Sequence, residues 1–567
     1  MNARRRGLLV LAAIAVGVYL LLAPATHTHR IYHNGTVLTL DADNTVAEAL
    51  AVRDGRVEAV GSNADVARWR TPDTELVDLG GKTLMPGFID AHSHFPVSGL
   101  FAVTADLRPP PIGDVDSIPR LLDAIQRYDT ASERDWVIGF GYDDSFLAEQ
   151  RHPTRAELDA AVPDKPVYLW HSSGHMGVAN SKALAALGID DRTPNPLGGV
   201  IARDPATGRP NGLLLEAAAP PMSRLFSAFS VRDVYRMLQH AVDAYRTAGI
   251  TTAQNGSADT RLMQALYWGQ RLGLIPLRLN IWARETTLGR DILNGRIDPI
   301  DYRNDRFRIS AIKLFADGSP QGHTAWLTQP YHRQRNGRPT TYRGFALLTQ
   351  EQLYRIGLPY HKAGWQLAIH GNGDAAIDDI IAACKRLQAT HPRDDHRMIL
   401  VHAQLARSDQ LPAMRNCGIT PSFFSNHVYY WGDVHSQLHL GPVRAETISP
   451  AASAAEAGLP FTLHTDTPVT PIDQLRLIAS AVNRTTLSGQ TLGDAERISA
   501  SQAFAAVTRE AAWQAFQSTT VGQIAPGQFA DLVVLSGNPL DDPSDLNTLQ
   551  VEQTIVGGKV VYTRADE

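Results

Sequence analysis

The stretch Leu84-Met85-Pro86-Gly87-Phe88-Ile89-Asp90-Ala91-His92-Ser93-His94 sets an apolar run directly before two histidines one residue apart. On an extended segment that alternate spacing directs both imidazoles to one side. The same order returns further along the chain. Ile309 to Phe315, Gln366 to Ile369, Met398 to Val401 and Phe461 to Leu463 are apolar runs, each followed by a polar loop. Such runs read as strands buried on both faces, and their alternation with helical stretches predicts a parallel α/β arrangement. Chemistry in barrels of this kind sits at the C-terminal ends of the strands, so the polar residues just past each run are the candidates.

Those residues form a coherent set. Besides His92 and His94 they are Lys313 in Ile312-Lys313-Leu314-Phe315, His370 after Ile369, His402 after Val401, and Asp466 after Leu463-His464-Thr465. An ammonium inside an apolar strand is costly unless it is paired or chemically changed. Four imidazoles, one carboxylate and a lysine that carbon dioxide could carboxylate supply ligands for two divalent ions of the zinc type. Taken singly the signals are weak: with 20 histidines in 567 positions, roughly 0.7 His-x-His pairs arise by chance. His27 with His29 is one decoy, and His435 with His439 another, since no glutamate follows His435. A strand-end histidine can also be a hydrogen-bonded core residue, Asp466 a helix cap, and Lys313 the partner of Asp317.

The rest of the chain bounds the answer. At 567 residues it exceeds what one core usually fills, which leaves room for a second domain. With 53 basic and 58 acidic side chains the net charge is −5, so nothing offers the basic footprint that nucleic acid requires. Cys384 and Cys417 exclude a disulfide framework or a cysteine-rich zinc site, while a single bridge stays open. Arg4, Arg5 and Arg6 precede an uncharged 17-residue run from Gly7 to Ala23, then Ala23-Pro24-Ala25. This reads as an export signal or an uncleaved membrane anchor, and both place the body outside the cytoplasm, in the periplasm. A buried core helix is the third reading of the run. Short alternating runs follow, Ile31 to His33, Thr36 to Leu40, Ala49 to Val52 and Val57 to Val60, with Asn34-Gly35 and Asp54-Gly55 as hairpin turns. The texture returns only at Asp531 to Leu535, Val551 to Val556 and Lys559 to Tyr562, so the two ends are expected to share one β-domain.

The order His92, His94, Lys313, His370, His402, Asp466 resembles the metal-dependent amidohydrolase superfamily. It is most similar to the amidohydrolase 3, YtcJ-like branch, which includes N-substituted formamide deformylases. Gly81 to His94 resembles the opening motif of that barrel, Gly522 to Leu535 the return into its β-domain, and Gly174 to Leu184 a branch-specific insertion motif. The resemblance covers nearly the whole chain after residue 30. It implies a distorted TIM (β/α)8 barrel with a composite β-sandwich formed by both chain ends. The expected boundaries are 1–29 for the signal or anchor, 30–85 and 511–567 for the sandwich, and 86–510 for the barrel, with an insertion near 95–230.

It further implies that His92, His94 and Asp466 hold one divalent ion, of the zinc type by donor chemistry, and that His370 and His402 hold the other, with carboxylated Lys313 between them. Asp466 would then take and return a proton during hydrolysis of a small-molecule C–N bond. The family's other chemistry keeps an esterase or lactonase in view, and fold alone would also permit a catalytically silent binding protein. Val401, where many relatives carry an acid, and Asn372 depart from the common pattern. The aromatic run from Pro421 to Asp433 suggests a substrate wall, and His175, His323, His427, Tyr430 and Trp431 are candidate pocket residues. The partner expected is a small molecule, membrane attachment through the leader is open, and so is a homo-oligomer.

Overall fold

The computed structural model describes residues 29–196, 198–220, 229–333 and 339–565. The expected export segment, His29 apart, therefore lies outside the described residues. Among the described residues no helix is long and apolar enough to cross a membrane.

Eight strands in chain order build one parallel sheet: β1 (Phe88–Ile89), β2 (Ile250–Ala258), β3 (Arg278–Arg284), β4 (Phe307–Phe315), β5 (Gln366–Gly371), β6 (Met398–His402), β7 (Ile419–Phe423) and β8 (Thr462–Leu463). Each pairs in parallel with the next. Among the described residues no ladder joins β8 to β1. Past their ends the Asp466 amide donates to the His92 carbonyl (3.2 Å) and the His94 amide to the Thr467 carbonyl (2.8 Å), which draws the two edges together at the site. The strands β2, β5, β6 and β7 are buried along their whole length. That is why they read as continuous apolar runs: helices such as Gln350–Lys362, Asp374–Thr390 and Gln410–Cys417 cover the outer face, and their buried side chains join one large core.

Both chain ends do meet. The C-terminal strand Leu532–Leu535 pairs antiparallel with Thr83–Pro86, in a six-stranded sheet that also holds Thr36–Leu38, Val46–Ala47, Val551–Val556 and Lys559–Thr563. Facing it is a four-stranded sheet of His29–His33, Ala49–Arg53, Arg56–Gly61 and Glu75–Asp78. Tyr32, Val37, Leu50, Leu84, Leu532 and Ile555 fill the space between them. The two turns behave differently from one another. Asp54 and Gly55, both at positive φ, close a true hairpin. Asn34-Gly35 closes none, because the strands on either side belong to different sheets, so the turn hands the chain across the sandwich.

Between β1 and β2 the insertion forms a mixed six-stranded sheet, from Ala105–Asp106 through Val137–Tyr142, Val167–His171, Met176–Ala179 and Pro210–Glu216 to Gly199–Arg203. It buries its own apolar clusters around Leu121, Leu158 and Leu169 and around Phe140, Tyr168 and Trp170. Cys384 and Cys417 form a disulfide between two barrel helices.

Candidate metal centre

The sheet brings the six candidate ligands to one end of the barrel. Asp466 Oδ1 lies 3.4 Å from His92 Nε2 and 3.3 Å from His94 Nε2. Lys313 Nζ stands 3.4 Å from His92 Nε2, and His370 Nδ1 faces His402 Nε2 at 3.0 Å. His402 Nδ1 lies 4.0 Å from Asp466 Oδ2, which links the two halves of the cluster. His92, Lys313, His370 and His402 are buried, whereas the His94 side chain keeps 29% of its exposure and marks the open side.

Local backbone geometry places these groups. His402 and Asp466 both sit in the left-handed region, at φ 75° and 51°, and Ala403 follows at 47°. Non-glycine residues there store strain that the surrounding fold must hold, and such positions cluster at functional sites. Asp466 caps no helix; the next one, Gln474–Asn483, is capped by Asp473. Gly256 on β2 lies so close to the His92 ring that any Cβ would collide with it. Only glycine lets the imidazole lie there.

Burial keeps the imidazoles of His92, His370 and His402 well below the ordinary histidine range, with Lys313 and neighbouring histidines adding to the effect, so they stand as neutral lone-pair donors. Lys313 is lowered to about 7 by burial, against the pull of Asp466. An amine that loses its proton this readily is a nucleophile towards carbon dioxide. Asp317 does not neutralise it. That carboxylate accepts the amides of Asn372 (3.0 Å), Gly373 (2.8 Å) and Trp326 (2.9 Å), and burial pushes it up to about 7.

The donor set fits a divalent ion. Asp466 Oδ1 is buried and has no hydrogen-bond partner among the described residues, although two imidazole nitrogens aim at it. An orphaned buried carboxylate oxygen faced by imidazole nitrogens is costly unless a cation sits among them.

Several residues of the centre escaped the sequence. Gln254 Oε1 accepts the Ser93 amide (2.9 Å) and contacts His92 Nδ1 (3.2 Å), fixing that ring. His464 Nε2 lies 3.0 Å from His402 Nδ1, and its own Nδ1 2.9 Å from Ser422 Oγ. Gly318 places its carbonyl 3.0 Å from His370 Nε2. These contacts choose which nitrogen of each imidazole faces the site. Only His464, two places before Asp466, carried a visible signal, as a further polar residue past β8.

The pocket candidates divide. His175, in the insertion, lies beside His370 with the rings tilted and centroids 5.2 Å apart, and is held by Glu216 Oε2 at 2.8 Å. Burial opposes a charge on His175, yet Glu216 outweighs it and raises the pKa. His427 lies against Phe424 and Trp431, with Nδ1 2.8 Å from His435 Nε2; Phe424 in turn touches His464 and His402. Tyr430 is half-buried beside Tyr429 and Trp431. The Trp431 indole donates to Asp143 Oδ2 at 2.9 Å. His323 stacks on Tyr331 at 4.3 Å and meets His439 Nδ1 at 2.8 Å. The sequence decoys His435 and His439 are thus buried members of a histidine cluster, and His29 is a core residue paired with Glu58 at 3.3 Å.

The likeness to known proteins extends over nearly the whole chain. The N-substituted formamide deformylase of Arthrobacter pascens is 30% identical over 94% of this chain and 98% of its own length. The putative amidohydrolase YtcJ of Bacillus subtilis is 28% identical over 94% and 99%. An uncharacterized metal-dependent hydrolase from Pyrococcus horikoshii superposes with a TM-score of 0.72 at 23% identity, over 91% of this chain and 99% of that one, a likeness of fold. A model of the amidohydrolase family matches residues 75–562, from the sandwich strand Glu75–Asp78 to the sandwich strand Lys559–Thr563, and so spans the barrel and every candidate ligand: this chain belongs to the amidohydrolase family.

Proposed function

We propose that the protein hydrolyses a C–N bond of a small amide, with N-substituted formamides as the leading substrate class. The observation that carries this is the orphaned Asp466 Oδ1 at the open end of the barrel, within 3.4 Å of the His92 and His94 imidazoles. The formamide preference rests on the 30% identity to a formamide deformylase over nearly its full length. When bound, a divalent ion of the zinc type held by His92, His94 and Asp466, with His370 and His402 for a second and carboxylated Lys313 between, polarises the carbonyl and brings the pKa of water towards about 7. Carboxylation is balanced: the neutral Lys313 amine attacks carbon dioxide, an N–C bond forms and one proton leaves.

The protein's own groups account for the proton traffic. Asp466 takes the proton from the attacking water and delivers it to the leaving nitrogen. Water adds to the carbonyl carbon to form the new C–O bond, and the C–N bond then breaks as the carbonyl reforms, giving a carboxylic acid and an amine. His175, steadied by Glu216, is placed beside His370 to donate to the substrate oxygen. Export belongs to the same reading, because the Arg-led apolar leader and the Cys384–Cys417 disulfide both fit an oxidising compartment.

The test is a paired panel of N-alkylformamides and matching formate esters, assayed on metal-loaded and chelator-stripped enzyme. Metal-dependent release of amine supports the reading, faster ester cleavage favours the esterase alternative, and amide hydrolysis untouched by metal removal refutes both. Lys313→Ala should lose metal and activity and regain part of each with added short-chain carboxylic acids; a fully active variant would overturn the bridge. Fractionation and N-terminal sequencing of the expressed full chain test export, which a cytosolic, intact protein would contradict.

A further inference from the structure

The insertion carries a second group of ligand type. Val137–Tyr142 and Val167–His171 are parallel neighbours, and both end at the same place: Asp143 and Asp144 follow the first, and His171 closes the second. His171 Nε2 stands 3.3 Å from Asp144 Oδ1 and 3.6 Å from Asp143 Oδ1. His171 is fully buried, and Asp143 and Asp144 are only 1% and 3% exposed. One ligand atom from each of the three lies within 4.8 Å of the others.

Three features go beyond a chance cluster. His171 Nε2 is buried, aims at both carboxylates, and makes a well-formed hydrogen bond to neither. Its spacing is that of ligands sharing one ion: nitrogen and oxygen donors at about 2.0–2.2 Å in a tetrahedron lie about 3.3–3.6 Å apart. The carboxylate of Asp143 is also firmly oriented. Its Oδ1 accepts the Ser145 amide (2.9 Å) and hydroxyl (2.5 Å), and its Oδ2 the Ser172 hydroxyl (3.1 Å) and the Trp431 indole (2.9 Å). Oxygen ligands of structural ions are held this way by outer partners.

His152 Nε2 also lies 3.7 Å from Asp144 Oδ2, so a second imidazole borders the pocket.

We propose that Asp143, Asp144 and His171 form a second, structural site for a divalent transition-metal ion, separate from the barrel-mouth centre. The ion pins the insertion at a sensitive point. His171 Nδ1 lies 2.9 Å from Ser173 Oγ, which also accepts the His175 amide at 3.3 Å, so the site anchors the loop that carries His175 to the catalytic end. Trp431, reaching Asp143 from the helix Asn426–Val434 that follows β7, ties the same site to the barrel.

The experiment uses the full-length protein. Cobalt is titrated into chelator-stripped wild type, Asp144→Asn and His171→Gln, and bound equivalents are counted. Each variant should bind one equivalent fewer than wild type; an unchanged count overturns the site. Zinc-edge anomalous scattering from wild-type crystals gives an answer that needs no variant. A peak between His171 Nε2 and Asp144 Oδ1 is expected, and density at the barrel mouth alone overturns the proposal whatever the variants do. Because metal counts and peak positions are independent of turnover, they stand apart from the fate of the hydrolase reading.

Discussion

The barrel mouth and the insertion pocket hold His/Asp clusters of nearly equal spacing, 3.3–3.4 Å in one and 3.3–3.6 Å in the other, yet they differ in what surrounds them. At the mouth Asp466 Oδ1 is left without a hydrogen bond and His94 faces outward. In the insertion both oxygens of Asp143 are engaged by serine and tryptophan donors, and the side chain of His171 has no exposure at all. An ion whose neighbours leave a position open can meet a substrate, whereas a closed set only holds structure together. On the two proposals made above, the same two residue types would serve different ends according to access.

The sharpest way to break the comparison is Asp466→Asn. It removes both a ligand and the proton carrier, so kcat should fall about 10³–10⁴-fold while the folded state persists, as read by steady-state kinetics beside thermal denaturation. A variant retaining a tenth of wild-type kcat would deny Asp466 its role. Next comes Gly256→Ala, which drives a methyl group into the His92 ring. Metal affinity at the mouth should drop about 10–100-fold, measured by competition with a chromogenic chelator, the range typical of disturbing what orients a ligand.

Trp431→Phe probes the other side of the comparison. Loss of the indole donor leaves Asp143 Oδ2 short of a partner in a buried pocket and should cost about 1–3 kcal/mol of stability in denaturant unfolding. A fall in kcat/KM with stability unchanged would instead assign Trp431 to the substrate wall.

The smallest effect is at the insertion's surface, where Thr154 and Glu157 form a capping box on the helix Arg155–Ala161. Thr154→Ala should cost about 1 kcal/mol. Glu157 is lowered from 4.5 to about 2, chiefly by its hydrogen bond to Arg151 and then by the cap, with burial opposing. A lowered carboxylate stabilises the fold above its unfolded value, so this contribution is complete at neutral pH and fades as pH falls from about 4.5 towards about 2. It is screened by water, so unfolding midpoints across that window should move only slightly; a midpoint that rises on acidification would contradict the assignment.

Much of the mouth was legible because strand ends are punctuated in one dimension. A residue at the end of an apolar run is at the end of a strand, and a parallel sheet gathers such ends by geometry alone, as His370 and His402 illustrate in adjacent register. Gln254, Glu216 and the Gly318 carbonyl were not legible. Their roles depend on which imidazole nitrogen they meet across separations of 162, 41 and 52 residues, and no local period encodes that. The Asn34-Gly35 turn misled for a related reason. Turn chemistry specifies a reversal, but not whether the returning strand rejoins its own sheet.

By itself the sequence determined the parallel core, the shared β-domain of the two ends and which polar residues gather at the barrel mouth, because hydrophobic period and strand-end position are properties of neighbours in the chain. Tertiary structure alone decided that His435 and His439 belong to a buried histidine cluster, that His175 reaches the centre, and that Asp143, Asp144 and His171 converge. Convergence is a matter of how separate segments fold onto each other, and burial then fixes whether a histidine or carboxylate there is solvated, paired or waiting for a cation.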